Sequence, residues 1–416
     1  MLTREENDLL TQVGPGTPGG ALIRRYWQPV ALSSEIPPGS APLPVRLLGE
    51  DLVLFRDQFD RFGLLGIHCA HRAADLSYAR IEDGGLRCLY HGWLYDIHGN
   101  CLEQPGEPEG STFKDKVQHL AYPIAERGDL VFAYLGGGEP PSLPPYEAFD
   151  VPPGQRSVYK VFQDCNYLQG NEGNIDPQHL SFLHRLSRSG DLNQTLNARV
   201  TAPHLELEDT DFGIRIYAVR KVDEENSYVR VTNFVMPNLA AVAGDAEGYS
   251  INWHVPIDDT HHWRYGIRFN RTQPIRPQQN ARSEEIGEDF RLIRNESNRY
   301  RQDRESMKNR EFIGMGQNFV VHDTWATQGE GAIQNRTTEH LGYTDMAIAA
   351  ARRMLLKAVR DVQEGQDPVH VIRDPEKRSE NLGIYVRNDI VLPSSVDWHR
   401  YWENDAAREL ATSTHR

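Results

Sequence analysis

Cys69-Ala70-His71 and Cys88-Leu89-Tyr90-His91, separated by sixteen residues, place two thiols and two imidazoles on two neighbouring loops. A two-iron, two-sulfide cluster with mixed ligation needs this set, because two thiolates hold one iron and two imidazoles the other. A Cys2His2 zinc site accepts the same side chains. Zinc fingers group their ligands by type, cysteines first, whereas here each loop carries one of each, so the spacing favours the cluster. The flanking text is strand-like on both sides. Apolar runs at 45–48, 52–55 and 62–65 precede the ligands, and 93–96, a turn at His98-Gly99-Asn100 and the run 129–134 follow them. These elements predict an all-β module.

Working outward, residues 1–26 read as a helical arm of two short helices split by Gly14-Pro15-Gly16. The β module then spans 27–145 and ends in Glu139-Pro140-Pro141-Ser142-Leu143-Pro144-Pro145, a stiff extended connection between domains. From 146 to 416 the pattern becomes helix, many strands, then helix. A helix near 177–186 precedes strands near 199–208, 212–221, 228–236, 249–257 and 262–270. The polar stretch 276–310 reads as an outer helix or a loop. The last clear element runs from Asp345 to Glu364, capped by Thr344 and stopped by Gly365, with Ala347, Ile348, Ala351, Leu355, Ala358 and Val362 on one stripe. It is expected to lie across the sheet.

The 416 residues carry 45 basic and 59 acidic side chains, for a net charge of −14. Such a balance argues against nucleic acid and anionic lipid as partners. No apolar run approaches the roughly 20 residues of a spanning helix, and the start is unlike a signal peptide, so a cytoplasmic location is expected. Cys101 and Cys165, the two remaining cysteines, are expected to be free thiols.

A second metal site is suggested by Asp176-Pro177-Gln178-His179, followed by His184. Dioxygen-activating Fe(II) enzymes use two histidines and a carboxylate on one face of the metal, leaving the other face open. Positions five apart on a helix point about 140° from each other, so His179 and His184 converge only across a bulge or break. Asp176 before Pro177 also has the form of a helix N-cap followed by proline, which would make it a cap and nothing more.

Together, Cys69-x-His71, Cys88-x2-His91 and Asp176-x2-His179-x4-His184 resemble the catalytic (alpha) subunit of a Rieske non-haem iron oxygenase over nearly the whole chain. Asp323-Thr324-Trp325, Gly331-Ala332-Ile333 and Arg336-Thr337-x-Glu339-His340-Leu341-Gly342 are similar to the phthalate-dioxygenase-like branch, which works without a small β subunit. Ala70 and Ala73 stand where the family commonly has proline and glycine, leaving the ligands untouched. The resemblance implies an α+β chain, a β-sandwich Rieske domain joined to a helix-grip (START-like) catalytic domain with an antiparallel sheet. It also implies one [2Fe–2S] cluster on Cys69, His71, Cys88 and His91, and one mononuclear Fe(II) on His179, His184 and a carboxylate well downstream. Asp323 fits that role as a lone acid in an apolar run, where burial demands a partner. Glu330 and His322 are its competitors, and a capping role for Asp323 is the plainer alternative.

The resemblance further implies electron supply from NAD(P)H through a separate flavin and iron-sulfur reductase. Electrons would pass from cluster to iron across a subunit interface of a homotrimer or stacked trimers, with His91 facing the neighbour and Asp176 joining it to His179. The substrates implied are O2 and an aromatic carboxylate, oxidised by ring dihydroxylation or by hydroxylation or O-demethylation. An anionic substrate calls for an arginine, and Arg215, Arg220 and Arg230 lie on the strands of the second domain. A Rieske electron carrier with a non-catalytic second domain is the competing reading; the histidine pair and the chain length weigh against it.

Overall fold

Thr3 opens the chain's first helix with a capping box, its side chain accepting from the Glu6 N–H while Glu6 returns to the Thr3 backbone. This starts α1 (Arg4–Thr11), and Thr17 with Pro18 at the first position starts α2 (Pro18–Ile23). The break between them falls at the expected glycines, with Gly16 in the left-handed region at φ 80°. The computed structural model describes residues 1–416 apart from 188, 245–246, 276–283, 375–383, 385 and 400–416.

The β module comprises β1 (Gln28–Leu32), β2 (Leu43–Leu47), β3 (Glu50–Arg56), β4 (Phe62–Gly66), β5 (Arg80–Glu82), β6 (Gly85–Arg87), β7 (Leu94–Asp96), β8 (Cys101–Glu103), β9 (Ala121–Tyr122), β10 (Ile124–Arg127) and β11 (Leu130–Ala133). They form sheets in the orders β2-β3-β4-β9, β5-β6-β7-β8 and β1-β11-β10. Val53, Phe55, Leu65, Leu86 and Tyr95 fill a core that continues into Cys69 and Cys88. The ligand-bearing loops therefore rest on packed apolar side chains.

Beyond the proline-rich link come β12 (Arg156–Gln163), α3 (Tyr167–Ile175), α4 (Leu196–Arg199), β13 (His204–Asp209), β14 (Gly213–Lys221), β15 (Asn226–Val235), β16 (Leu239–Ala243), β17 (Tyr249–Pro256), β18 (His262–Phe269), α5 (Phe319–Gln328), α6 (Met346–Gln363) and β19 (Arg387–Pro393). One antiparallel sheet runs β12-β18-β17-β16-β15-β14-β13, with β19 paired to β15. Every residue of β17 is buried, so this strand is covered on both faces. Helix α3 lies against β17 so closely that a Cβ at Gly170 would stand 2.3 Å from His254 Nδ1. Only glycine fits there.

The family-like Arg336-to-Gly342 stretch has a structural task. Glu172 of α3 accepts from Arg336 Nη2 at 3.0 Å and from Arg352 Nε of α6 at 2.6 Å, and Arg352 also pairs with Glu339. This buried network ties α3 to α6 and holds the helix that ends at the candidate iron site. The expected α6 stripe is buried at Ala347, Ala351, Leu355, Ala358 and Val362, packing on α1, α2 and β14, and Gly365 stops it at φ 78°.

Two expectations need correction. The helix expected at 177–186 is not there: α3 ends at Ile175, because Pro177 has no N–H to continue it, and only a short 3-10 turn (His179–Ser181) follows. Thr344 does not cap α6; it lies inside a 3-10 turn whose Asp345 carboxylate accepts from the Gly342 N–H. Of the two readings of 276–310, the described residues follow the loop, with 3-10 turns at Glu296–Arg301 and Ser306–Lys308, and 276–283 lie outside the described residues.

Candidate active site

Cys69 follows β4 and Cys88 follows β6, and their loops repeat one hydrogen-bond pattern. The Cys69 N–H donates to Ala74 O at 2.8 Å and the Ala73 N–H returns to Cys69 O at 2.8 Å; Cys88 does the same with Trp93 (2.9 Å) and Gly92 (3.0 Å). Both return positions are left-handed, Gly92 at φ 75° and Ala73 at φ 57°. Alanine bears a cost of roughly 1–2 kcal/mol there that glycine does not.

Cys69 and Cys88 are buried and within hydrogen-bonding reach of each other, with the Tyr90 and His91 N–H groups directed at the Cys88 sulfur. The His71 and His91 rings stand 4.5 Å apart, with His71 stacked on Trp93 at 4.4 Å. His71 Nδ1 is buried with no hydrogen-bond partner. Two buried sulfurs on matching loops, one approached by N–H groups, and two neighbouring imidazoles of which one has an orphaned nitrogen fit the donor set of a [2Fe–2S] cluster. Cys101 and Cys165 are buried free thiols, as expected.

Tyr95 Oη lies 3.2 Å from Cys69 Sγ. A hydroxyl donated to a ligating sulfur stabilises the reduced, more negative cluster. Tyr95→Phe should lower its potential by roughly 20–60 mV, taking about 0.5–1.5 kcal/mol per hydrogen bond and 59 mV per tenfold for a one-electron couple. Spectroelectrochemical titration reads this directly, and an unchanged potential would remove Tyr95 from the account.

At the far end of α3 the break between the histidines brings them together. The His179 and His184 rings are 4.9 Å apart and nearly perpendicular, and Asp323 joins them from α5, with one ligand atom of each residue within 4.8 Å of the others. Asp323 lies mid-helix and caps nothing. Burial alone would raise its pKa, but His184, Arg264 and His179 outweigh this and keep it ionised. Burial pushes His184 down to about 4, so its imidazole is neutral.

His322 supports the His184 ring: its Nε2 lies 2.8 Å from Gly316 O and its Nδ1 3.2 Å from His184 Nδ1. His184 Nε2 faces Asp323 Oδ1 at 2.9 Å. Two imidazoles and an ionised carboxylate converging on one point fit the donor set of a divalent metal. His322 lies outside this group of three. Glu330 is absent from the group, carried past the end of α5.

Asp176 is not the N-cap that its proline suggests. It is the C-cap of α3; Oδ1 accepts from the Gln178 N–H at 2.6 Å, and Oδ2 lies 3.7 Å from His179 Nδ1, an ion-pair separation longer than a hydrogen bond. Buried Arg220 steadies this turn, donating to Pro177 O at 3.0 Å and Val200 O at 2.9 Å.

Comparison with known proteins agrees with this architecture. Residues 26–121 match the Rieske [2Fe-2S] domain and residues 133–415 the LigXa C-terminal domain-like family. The chain is 37% identical to the phthalate 4,5-dioxygenase oxygenase subunit of Pseudomonas putida, over 99% of its own length and 98% of that protein's. The chain belongs to the Rieske non-haem iron oxygenases. This oxygenase is also 36% identical to the 5,5'-dehydrodivanillate O-demethylase oxygenase subunit of Sphingobium sp., covering 90% of this chain and 84% of that one. Dicamba monooxygenase bound to dicamba shares the fold at a TM-score of 0.60 and 17% identity, covering 83% of this chain and 99% of that one. The terminal oxygenase of carbazole 1,9a-dioxygenase from Novosphingobium sp. KA1 does so at 0.57 and 21%, covering 89% and 97%.

In this oxygenase the triad opens on a cavity of about 440 Å³, within the usual range for small-molecule sites. Its apolar wall includes Leu180, Val242, Val320 and Phe319, whose ring stacks on His184 at 4.2 Å. Arg230, Arg264 and Arg268 line the same cavity. Of the strand arginines suggested by the sequence, Arg230 lines it. Arg215 pairs with Glu208 at 2.7 Å and Arg220 serves the Asp176 turn, so neither does. Arg264 and Arg268 were not singled out, although the alternation His262, Arg264, Gly266, Arg268 along β18 marks a polar inner face. Among the described residues no helix is long and apolar enough to cross a membrane.

Proposed function

We propose that Cys69, His71, Cys88 and His91 hold a Rieske cluster, that His179, His184 and Asp323 hold one Fe(II), and that the oxygenase oxidises an anionic aromatic substrate. The observation that carries this is a single cavity shared by the triad, an apolar wall and the Arg230 and Arg268 side chains. Guanidinium forks on one side fix a carboxylate and so the face of the ring turned towards the metal. When bound, the cluster supplies single electrons and the iron activates dioxygen for insertion into the substrate. Phe319 covers one face of the His184 imidazole, and Val320 lines the cavity beside it. The relatives named above, a phthalate dioxygenase and a dehydrodivanillate O-demethylase, support an aromatic acid and leave both ring dihydroxylation and O-demethylation open.

The same reading divides the chain into an arm (1–26), a Rieske domain (27–145) and a catalytic domain (146–416). It pairs the protein with a cytoplasmic NAD(P)H-dependent flavin and iron-sulfur reductase, and it assembles a homotrimer or stacked trimers in which His91 meets Asp176 of a neighbour. His91 is exposed, as that role requires.

The test supplies purified protein with a surrogate reductase and a panel of aromatic acids, and follows oxygen uptake against product. Uptake matched by an oxygenated product establishes the activity; uptake without product for every acid sinks it. Iron analysis separates the electron-carrier reading, which needs about two irons per chain against about three here. Arg268→Gln should raise KM for an acid substrate roughly 10–100-fold, the loss of about 1.5–3 kcal/mol for a hydrogen bond to a charged group, with less effect on the matching uncharged amide. Equal losses for acid and amide would deny Arg268 that contact.

A further inference from the structure

The two oxygens of Asp323 have different neighbours. Oδ1 faces His184, while Oδ2 accepts from Arg264 Nη1 at 3.1 Å. Arg264 is itself buried, on β18, at 5% exposure. The Tyr159 phenol of β12 lies close enough to its guanidinium to interact with it. From there the Tyr159 hydroxyl donates to Asn252 Oδ1 at 2.8 Å, Asn252 Nδ2 donates to Asn174 Oδ1 at 2.9 Å, and Asn174 Nδ2 donates to the Gly170 carbonyl at 3.3 Å.

Every link points the same way. The line starts at a group that can only donate and ends at a carbonyl that can only accept, so no member can reverse, and each bond polarises the next. It leaves α5 at Asp323, crosses β18, β12 and β17, and reaches α3 two residues before Asp176. A backbone device makes room for it. Tyr159 is paired across the sheet with Gly266, where a Cβ would stand 2.2 Å from the Tyr159 ring. Only glycine lets the phenol lie over β18 and reach both partners.

We propose that Arg264 is a positioning residue for the mononuclear iron: it engages one oxygen of Asp323 so that only the other is offered beside the histidines, and Tyr159, Asn252 and Asn174 hold Arg264 in that post. This rests on the reading of His179, His184 and Asp323 as iron ligands. A carboxylate with both oxygens free can chelate a metal through both and use up a position that a facial triad must keep open. A planar fork can serve Asp323 and Tyr159 at once with fixed orientation, which a lysine ammonium cannot.

The test measures Fe(II) affinity by anaerobic equilibrium dialysis on protein that retains its cluster, whose visible absorption reports an intact fold. Arg264→Lys keeps the charge and loses the fork; Tyr159→Phe keeps the ring and loses the relay. Each is expected to weaken Fe(II) binding roughly 10–100-fold, as loss of a partner to a metal ligand does. The double variant should be no worse than Arg264→Lys alone, since both break one line, and Gly266→Ala should follow Tyr159→Phe. Wild-type affinity in Arg264→Lys, or additive losses in the double variant, overturns the proposal. So does Arg264→Met binding more tightly while Arg264→Lys is unchanged, which would leave charge alone at work. If instead wild-type uptake of the third iron survives His184→Ala, the ligand reading itself has failed.

Discussion

Asp176→Asn is expected to retain the cluster, the mononuclear iron and the fold while product formation falls on the order of 100-fold, the upper end for a residue that acts through a metal ligand. The retention follows from the turn. Oδ1 accepts from the Gln178 N–H, and an asparagine oxygen can accept it equally well, so the end of α3 and the placement of His179 survive. What is lost is the charge. Burial would raise the Asp176 pKa, but the neighbouring His179 imidazole and the Gln178 and His179 backbone N–H groups hold it below the usual carboxylate range, so the side chain is an anion in the working pH range. An amide at that point cannot balance the charge of the His179 imidazole nor, in the proposed trimer, of the His91 imidazole of a neighbouring subunit. Single-turnover measurements with a pre-reduced cluster locate the defect in transfer between centres, and a turnover rate near that of the unaltered protein would reduce Asp176 to a helix terminator.

Asp323→Ala is expected to lose the mononuclear iron and all product formation above background, and to keep the brown colour of the cluster. It carries a second effect of different origin. Arg264 is buried and Asp323 nearly so, and removing one partner leaves the other charge unpaired, at a cost of roughly 3 kcal/mol in iron-free protein. Arg264→Met in the Asp323→Ala background should recover part of that stability and none of the iron. Iron and sulfide analysis with urea unfolding separates the two effects. Three irons per chain in Asp323→Ala would mean that another carboxylate completes the site.

The cluster was legible because its ligands are local. Cys69 with His71 and Cys88 with His91 each sit within a loop a few residues long, so spacing alone restricts the geometry that they can reach. The break between His179 and His184 was legible for a similar reason, since helical geometry forbids their convergence without it. Asp176 misled, because Asp-Pro reads equally as the start of one helix or the end of another, and only the buried contacts of Glu172 on α3 with Arg336 and Arg352 decide that the helix precedes it. The strands at β12 and β16 were not anticipated either; they are recognised by their pairing with β18 and β17 more than by their own pattern.

By itself, then, the order of residues determined the all-β module, its two Cys-His pairs, the presence of a second histidine pair and the kinship with oxygenases, since each depends on separations short enough for chain geometry to enforce. The folded sheet alone decided which acid lies beside the histidine pair, which residue supports the His184 ring, and which arginines reach the cavity. Those outcomes join residues far apart in the chain, 138 positions for His184 with His322 and 43 for Arg220 with Pro177. They turn on strand register, where a shift of one residue would send Arg264 and Arg268 to the opposite face.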